Sequence, residues 1–301
     1  MQIKSHQHTI SNNIQLSGKG LHLGKQAHIV IRPAPVNSGI VFKRTDLSDT
    51  PEIKAHIDHI SHCERGTCLT KNGIDILSIE HLMAAVQGLQ VDNMIIEIDA
   101  SEMPAFDGSS RVYTEELLKA GIQEQSELRK PFKLNEKIEF SYGDSKYIAE
   151  PSDEFLLDVF IQYDDSPIGE QKASYIQTTD FQQEIANCRT FVFLSELEPL
   201  FNRNLIKGGD LDNAIVFVDK AVCQAELDRL SSIMGKDKVA VRLEGILNNL
   251  DLYFDNEPAR HKLLDLMGDL GLLGKMMQAK ITAIRPGHRS NAEFVKRLLI
   301  N

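Results

Sequence analysis

Short apolar segments, several of them alternating with polar residues, run along most of the chain as in half-buried β-strands. They fall at residues 13–16, 27–33, 39–44, 63–76, 93–99, 132–140, 146–150, 155–163, 188–193 and 280–284. Glycines and an Asn72-Gly73 pair mark turns between several of them. The pattern therefore predicts a chain built largely from short strands.

Fewer segments show the 3.6-residue period of a helix. The clearest is 257–274, in which Pro258 suits a first turn, leucines recur at helical spacing, and two glycines mark the end. A second helix is predicted at 78–89, with Ser78 as its N-cap. Further helices are predicted at 111–120, 195–203, 292–300 and, as a polar insertion, within 219–249.

The two halves of the chain end with the same succession of elements. A helix that carries a histidine leads to a strand, a polar loop with glycine, and a closing helix. His81 precedes Gly108 by 27 residues, and His261 precedes Gly287 by 26. We predict an α+β fold of duplicated halves whose histidine helices lie side by side about a pseudo-twofold axis. The domains are expected at 1–127 and 128–301, joined by a polar linker at 124–130.

Composition narrows the possible classes of protein. With 301 residues, 42% of them hydrophobic, 25% charged, and a net charge of -10, the chain resembles an ordinary globular protein without a basic surface for nucleic acid. The N-terminus lacks the apolar core of a signal peptide, and no apolar run is long enough for an integral membrane segment. We therefore expect a cytoplasmic protein. Four cysteines without paired spacing are expected to be reduced thiols.

One side of the 257–274 helix carries the candidate chemistry. His261, Asp265 and Asp269 lie at i, i+4 and i+8, and two carboxylates so placed favour a bound cation. If the halves pack as predicted, His81 becomes a third ligand. Two imidazoles and one carboxylate leave a coordination position open, which is typical of catalytic zinc. Glu80 would then be placed as a base.

His288 would serve as an acid in a loop after a strand, and Lys262 would stabilise negative charge. Each of these residues also has an ordinary structural interpretation. The side of the helix that carries His261, Asp265 and Asp269 would be a solvated face. His81 would be a packed core histidine, and the other side chains would be surface groups. His56, His59 and His62 favour an exposed loop over a metal site.

Collinear motifs give the chain a resemblance to a known family. The runs are 18–22 (GKGLH), 31–35 (IRPAP), 42–47 (FKRTDL), 78–82 (SIEHL), 103–109 (MPAFDGS), 189–191 (RTF), 208–214 (GGDLDNA), 260–265 (RHKLLD), 268–270 (GDL) and 287–288 (GH). Over essentially its whole length the chain resembles the LpxC family, the UDP-3-O-acyl-N-acetylglucosamine deacetylases of lipid A biosynthesis.

The resemblance implies a two-domain β-α-α-β sandwich and a zinc-dependent hydrolysis that releases acetate. At the matching positions it implies that His81, His261 and Asp265 are the zinc ligands, that Glu80 is the general base, and that His288, oriented by Asp269, is the general acid. Thr190 and Lys262 would stabilise the oxyanion or bind substrate. Phe191 and Gly209 would contact the substrate. The substrate would be UDP-3-O-acyl-N-acetylglucosamine, with its acyl chain in a passage formed by an insert at 187–209.

Two departures from the family pattern are visible. The run Glu64-Arg65-Gly66 replaces a more apolar stretch, and 219–249 is longer than usual. Some relatives are fused to an acyl-carrier-protein dehydratase, so a fused domain beyond residue 301 is an open expectation, as is a monomeric state. A mononuclear iron oxygenase has a similar ligand set and remains an alternative. A catalytically silent sugar-nucleotide or lipid-binding protein is another.

Overall fold

The computed structural model describes residues 5–63, 65–164, 166–202, 207–233, 239–247 and 250–300. The strands are β1 (His6–Ile10), β2 (Ile14–Lys19), β3 (Gln26–Pro33), β4 (Ile40–Arg44), β5 (Glu52–Lys54), β6 (Ile60–Cys63), β7 (Gly66–Lys71), β8 (Ile74–Ile76), β9 (Met94–Ile98), β10 (Ile122–Leu128), β11 (Phe132–Lys133), β12 (Ile138–Tyr142), β13 (Ser145–Pro151), β14 (Leu156–Tyr163), β15 (Gly169–Ile176), β16 (Phe191–Phe193), β17 (Ile215–Phe217) and β18 (Met277–Ile284). The helices are α1 (Glu80–Gly88), α2 (Arg111–Ala120), α3 (Phe181–Glu184), α4 (Leu194–Asn202), α5 (Gln224–Ile233), α6 (Glu257–Leu270) and α7 (His288–Ile300).

The two largest sheets share one topology. The first has the order β2-β3-β9-β4-β5, and its central β9 pairs antiparallel with β3 and parallel with β4. The second contains the path β12-β13-β18-β14-β15, and its central β18 pairs antiparallel with β13 and parallel with β14. A helix precedes and another follows the central strand of each sheet. The predicted α+β class is confirmed, and the pseudo-twofold axis stays a prediction.

Helices α1 and α6 pack against each other, and α6 also contacts β14 and β15. Both helices are buried around most of their circumference, as expected for helices that lie between layers. Their apolar side chains join those of both large sheets in one continuous core. Because the helices meet at the centre of the molecule, their polar residues are buried together. Among the described helices, none has the length and apolar character needed to cross a membrane.

Most of the segment predicted as a linker, residues 124–128, is part of a strand. Residues 122–128 form β10, which pairs antiparallel with β1. Five of its seven side chains are exposed and it lacks the alternation of a half-buried strand, so its polar composition was mistaken for that of a linker. The linker prediction was therefore wrong, whereas the division into 1–127 and 128–301 stays a prediction.

Other boundaries also differ from the prediction. Ser78 does not cap α1: its φ is 60°, its hydroxyl donates to Glu102, and the helix begins at Glu80. His288 is the first residue of α7 and not a loop residue. Within 219–249 the structure shows α5 as the only helix among the described residues, while 234–238 and 248–249 lie outside them.

Candidate active site

The contact between α1 and α6 brings His81, His261 and Asp265 together. One donor atom from each lies within 4.8 Å of the others. The distance from Oδ1 of Asp265 to Nε2 of His261 is 3.4 Å, and to Nε2 of His81 it is 3.9 Å. These are the three residues that the sequence predicts as metal ligands, and they come from different halves of the chain.

The hydrogen bonds around this cluster favour a cation at its centre. Nδ1 of His261 lies 3.0 Å from the backbone oxygen of Cys188, so Nδ1 is the donor and Nε2 presents its lone pair. Among the described residues, Oδ1 of Asp265 is a buried oxygen with no hydrogen-bond partner. Two electron pairs that face each other in a buried site repel unless a positive charge lies between them. The donor set therefore fits a divalent metal ion.

The three candidate ligands are in the ionisation states that metal binding requires. Burial lowers the pKa of His81 to about 3 and also lowers the pKa of His261, so both imidazoles are neutral at pH 7. Burial alone would raise the pKa of Asp265, but the neighbouring His261 and Lys262 hold it well below its usual range. Neutral imidazole and ionised carboxylate are the forms that bind metals.

Glu80 lies next to His81 at the start of α1 and is only 6% exposed. The backbone N–H of Thr67 donates to its Oε2 over 3.0 Å. Burial raises the pKa of Glu80 to about 7, and the charge on Asp265 acts in the same direction. A carboxyl group with a pKa near neutrality can both accept and release a proton at physiological pH.

His288 lies on the other side of the ligand cluster. Its Nε2 is 3.6 Å from Oδ2 of Asp265, and its Nδ1 is 3.2 Å from Oδ2 of Asp269. Burial of the ring opposes protonation, but the two carboxylates outweigh it and raise the pKa of His288 to about 9. Since Asp269 is fully buried, His288 is held as a cation by a fixed negative charge. It is therefore placed to donate a proton.

A cavity of about 340 Å³ opens onto these groups, and it is lined by residues from both halves. Lys262 lines it with its ammonium 2.9 Å from Oδ2 of Asp265 and 5.4 Å from the centre of the Phe191 ring. Thr190 also lines it, and its N–H donates to the backbone oxygen of Gly108. Gly209, predicted to contact substrate, lies outside the lining residues.

Three residues of this region were not predicted from the sequence as site residues. Arg65 and Glu196 line the cavity and form an ion pair of 3.0 Å, although they are separated by 131 residues. Arg65 was noticed only as a departure from the family pattern, and its neighbour Glu64 lies outside the described residues. Thr67, which contacts Glu80, lies within the predicted strand segment 63–76 but belongs to none of the family motifs.

A close helix contact sets the spacing of the candidate metal ligands. A Cβ atom on Gly268 of α6 would lie 2.3 Å from the backbone oxygen of Glu80. The Gly268→Ala variant must therefore push α1 away from α6 and separate His81 from His261. We expect a divalent metal ion, with zinc as the test ion, to bind at least ~10-fold more weakly, measured by competition with a chromophoric chelator.

The matched control is Gly271→Ala, one turn further along. The atoms nearest to its new Cβ would be side-chain atoms of Met83 and Gln87, at 3.0 Å or more, and not backbone. This variant should bind zinc as the unmodified chain does. Equal zinc affinity of all three proteins would contradict the proposed role of the Gly268 contact.

A buried ion pair anchors the segment that carries Thr190 and Phe191. Glu257 is fully buried and accepts hydrogen bonds from Nε and the backbone N–H of Arg189. Removing one partner of such a pair leaves a buried charge uncompensated. We expect Glu257→Ala to lower the free energy of unfolding by about 3–5 kcal/mol in urea denaturation. Glu293→Ala, which breaks a surface ion pair, should lower the free energy of unfolding by under ~1 kcal/mol. Equal losses of unfolding free energy in the two variants would contradict the expected difference between the buried and the surface ion pair.

The chain is similar to proteins of one family over nearly its whole length. A family model described as "LpxC: UDP-3-O-acyl N-acetylglycosamine deacetylase" matches residues 7–232 and 230–300. The chain is 46% identical over 298 residues to a protein of Chlorobaculum tepidum named "Bifunctional enzyme LpxC/FabZ", covering 97% of this chain and 64% of the relative. A Porphyromonas gingivalis protein of the same name is 44% identical, with 96% of this chain and 63% of the relative covered.

A "UDP-3-O-acyl-N-acetylglucosamine deacetylase" of Chlamydia pneumoniae is 38% identical over 296 residues. That alignment covers 97% of this chain and 96% of the relative. The chain therefore spans nearly all of this relative but less than two thirds of the two bifunctional ones.

Proposed function

We propose that this chain, which belongs to the LpxC family, is a zinc-dependent deacetylase. It hydrolyses the N-acetyl group of UDP-3-O-acyl-N-acetylglucosamine, which releases acetate in the committed step of lipid A biosynthesis. The observation that carries the proposal is the buried cluster of His81, His261 and Asp265, whose unpartnered carboxylate oxygen faces two imidazoles. Glu80 and His288 line the same cavity as these ligands.

The donor set supports zinc as the metal. Two histidines and one carboxylate hold catalytic zinc with a coordination position free. Zinc bound there supplies Lewis acidity, which polarises an amide carbonyl and makes a water molecule more acidic. We assign the remaining chemistry to the side chains of this protein.

Glu80 removes a proton from the attacking water as the new C–O bond forms on the acetyl carbon. The negative charge that develops on the carbonyl oxygen is stabilised by Lys262 and by Thr190. His288 then donates the proton on Nε2 to the amide nitrogen, so that the C–N bond breaks with an amine as leaving group. Asp269 holds the His288 ring and compensates its charge throughout.

An aromatic cluster supports a place for the acyl chain. Phe191 lies 5.8 Å from Tyr163, 6.2 Å from Phe193 and 6.0 Å from Phe217, measured between ring centres. Phe191 is the member of this cluster that lines the cavity, and it belongs to the predicted insert at 187–209, of which residues 203–206 lie outside the described part. We assign the acyl chain to this apolar side, and we propose that the enzyme acts in the cytoplasm as a monomer.

The test is acetate release from UDP-3-O-acyl-N-acetylglucosamine by the purified chain. We expect activity to disappear on chelation and to return with stoichiometric zinc. Recovery with ferrous iron together with a requirement for oxygen would instead favour the oxygenase alternative. Tight binding of the substrate without acetate release, at one equivalent of zinc, would support the catalytically silent binding protein.

A further inference from the structure

Thr67 lies on β7 and contacts both the residue proposed as the base and the residue proposed as the acid. It is 2% exposed and comes from the three-stranded sheet β6-β7-β8, outside α1, α6 and α7. Its backbone N–H donates to Oε2 of Glu80 over 3.0 Å. Its hydroxyl contacts Oδ1 of Asp269 and lies 3.1 Å from Nδ1 of His288. One residue thus contacts the proposed base, the proposed acid and the carboxylate behind that acid.

The direction of these hydrogen bonds follows from the chemistry of the partners. An ionised carboxylate only accepts hydrogen bonds, so the single hydroxyl proton of Thr67 is donated to Asp269. The hydroxyl oxygen is then an acceptor towards His288, which requires a proton on Nδ1. Asp269 also accepts a bond of 2.8 Å from Nδ2 of Asn291, so its carboxylate is held from two sides.

These hydrogen bonds determine which ring nitrogen of His288 can exchange a proton. With Nδ1 protonated and facing Thr67 and Asp269, the proton that can be exchanged is on Nε2, which faces Asp265 and the cavity. Rotation of the ring would break the contacts of Nδ1 with both partners. The hydroxyl group therefore fixes the ring orientation in which proton donation to a substrate is possible.

We propose that Thr67 is a positioning residue that couples the placement of Glu80 to that of His288. This inference rests on the proposed deacetylation for its kinetic part. The backbone N–H holds the base, and the hydroxyl holds the acid through Asp269. Because both hydrogen bonds originate from one residue of a strand, the base and the acid keep a constant separation across the metal cluster.

The experiment compares Thr67→Val with Thr67→Ser in the zinc-loaded protein. Valine keeps the shape and the backbone N–H but removes the hydroxyl, whereas serine retains it. We expect Thr67→Val to lower kcat for acetate release by ~10- to 100-fold, with KM and zinc content unchanged. Thr67→Ser should stay within about 3-fold of the unmodified enzyme, since the hydroxyl is the group that acts. Should Thr67→Val fail to fold, Thr67→Ala replaces it.

Crystal structures of the zinc-loaded variants provide a readout that is independent of turnover. The His288 ring should be displaced or rotated in Thr67→Val and remain in place in Thr67→Ser. Thr70→Val is the control, because it removes a hydroxyl from the same strand that contacts Ser61 and Asp75 instead. It should leave kcat and the ring unchanged.

Several results would overturn the inference. They are an unmoved His288 ring in Thr67→Val, equal kcat values for Thr67→Val and the unmodified enzyme, and a Thr67→Ser variant as slow as Thr67→Val. Loss of zinc from Thr67→Val would also overturn it, since the residue would then support the metal site. If the unmodified protein releases no acetate, the proposed function fails, and the ring position still decides the role of Thr67.

Discussion

Replacement of Glu80 by glutamine is expected to slow acetate release by ~10²- to 10⁴-fold, the range for loss of a positioned base. Glutamine keeps the size of the side chain and an oxygen that can accept the hydrogen bond from the Thr67 N–H. It cannot take a proton from water. The zinc content should therefore remain at one equivalent while kcat falls, as measured by steady-state kinetics alongside metal analysis.

Glu115→Gln, on the exposed face of α2, is the control for the change of charge and should leave turnover unaltered. Near-normal turnover of Glu80→Gln with zinc bound would remove Glu80 from the mechanism. Loss of zinc together with turnover would place its contribution in the metal site instead.

Replacement of His288 by glutamine is expected to slow turnover by a similar ~10²- to 10⁴-fold through loss of the proton donor. The pH dependence gives the more specific signature. Activity requires ionised Glu80, with a pKa raised to about 7, and protonated His288, with a pKa raised to about 9. The unmodified enzyme should therefore show a bell-shaped profile of kcat/KM that rises with Glu80 ionisation and falls as His288 loses its proton.

A zinc ion favours the ionised carboxylate and disfavours the imidazolium, so the two limbs are expected at or below pH 7 and pH 9, respectively. The residual activity of His288→Gln should lack the alkaline fall, whereas that of Glu80→Gln should lack the acidic rise. His28→Gln, at an exposed position of β3, is the control and should keep both limbs. An alkaline fall that persists in His288→Gln would assign it to another group.

Regular local patterns predicted most elements of the fold. The helix at 111–120 was predicted with the bounds found in the structure, because its apolar period and closing glycine are both local. Strand β15 was missed although it pairs with β14 along its whole length. Its less exposed positions carry Gly169, Gln171, Ala173 and Tyr175, and its exposed end carries Ile176, so burial on one face was not visible as alternating hydrophobicity.

The sequence indicated the repeated order of elements in the two halves but not how their strands pair. The sequence showed the same succession of helix, strand, loop and helix twice, and the structure adds that both central strands pair in the same senses. Strand pairing depends on residues far apart in the chain, so no local period reports it. The pairing of β10 with β1 is likewise long-range, and the polar composition of β10 gave no local sign of a strand.

The sequence by itself determined that His261, Asp265 and Asp269 project from one side of a helix, because 3.6 residues per turn aligns positions four apart. The family motifs added Thr190, Phe191 and Gly209 to the candidates. Only the tertiary structure decided that His81 faces these residues, since this depends on the close packing of α1 and α6 at Gly268. It also brought Thr67 to Asp269, 202 residues away. Contacts of this kind are formed by packing in three dimensions, which sequence spacing does not encode.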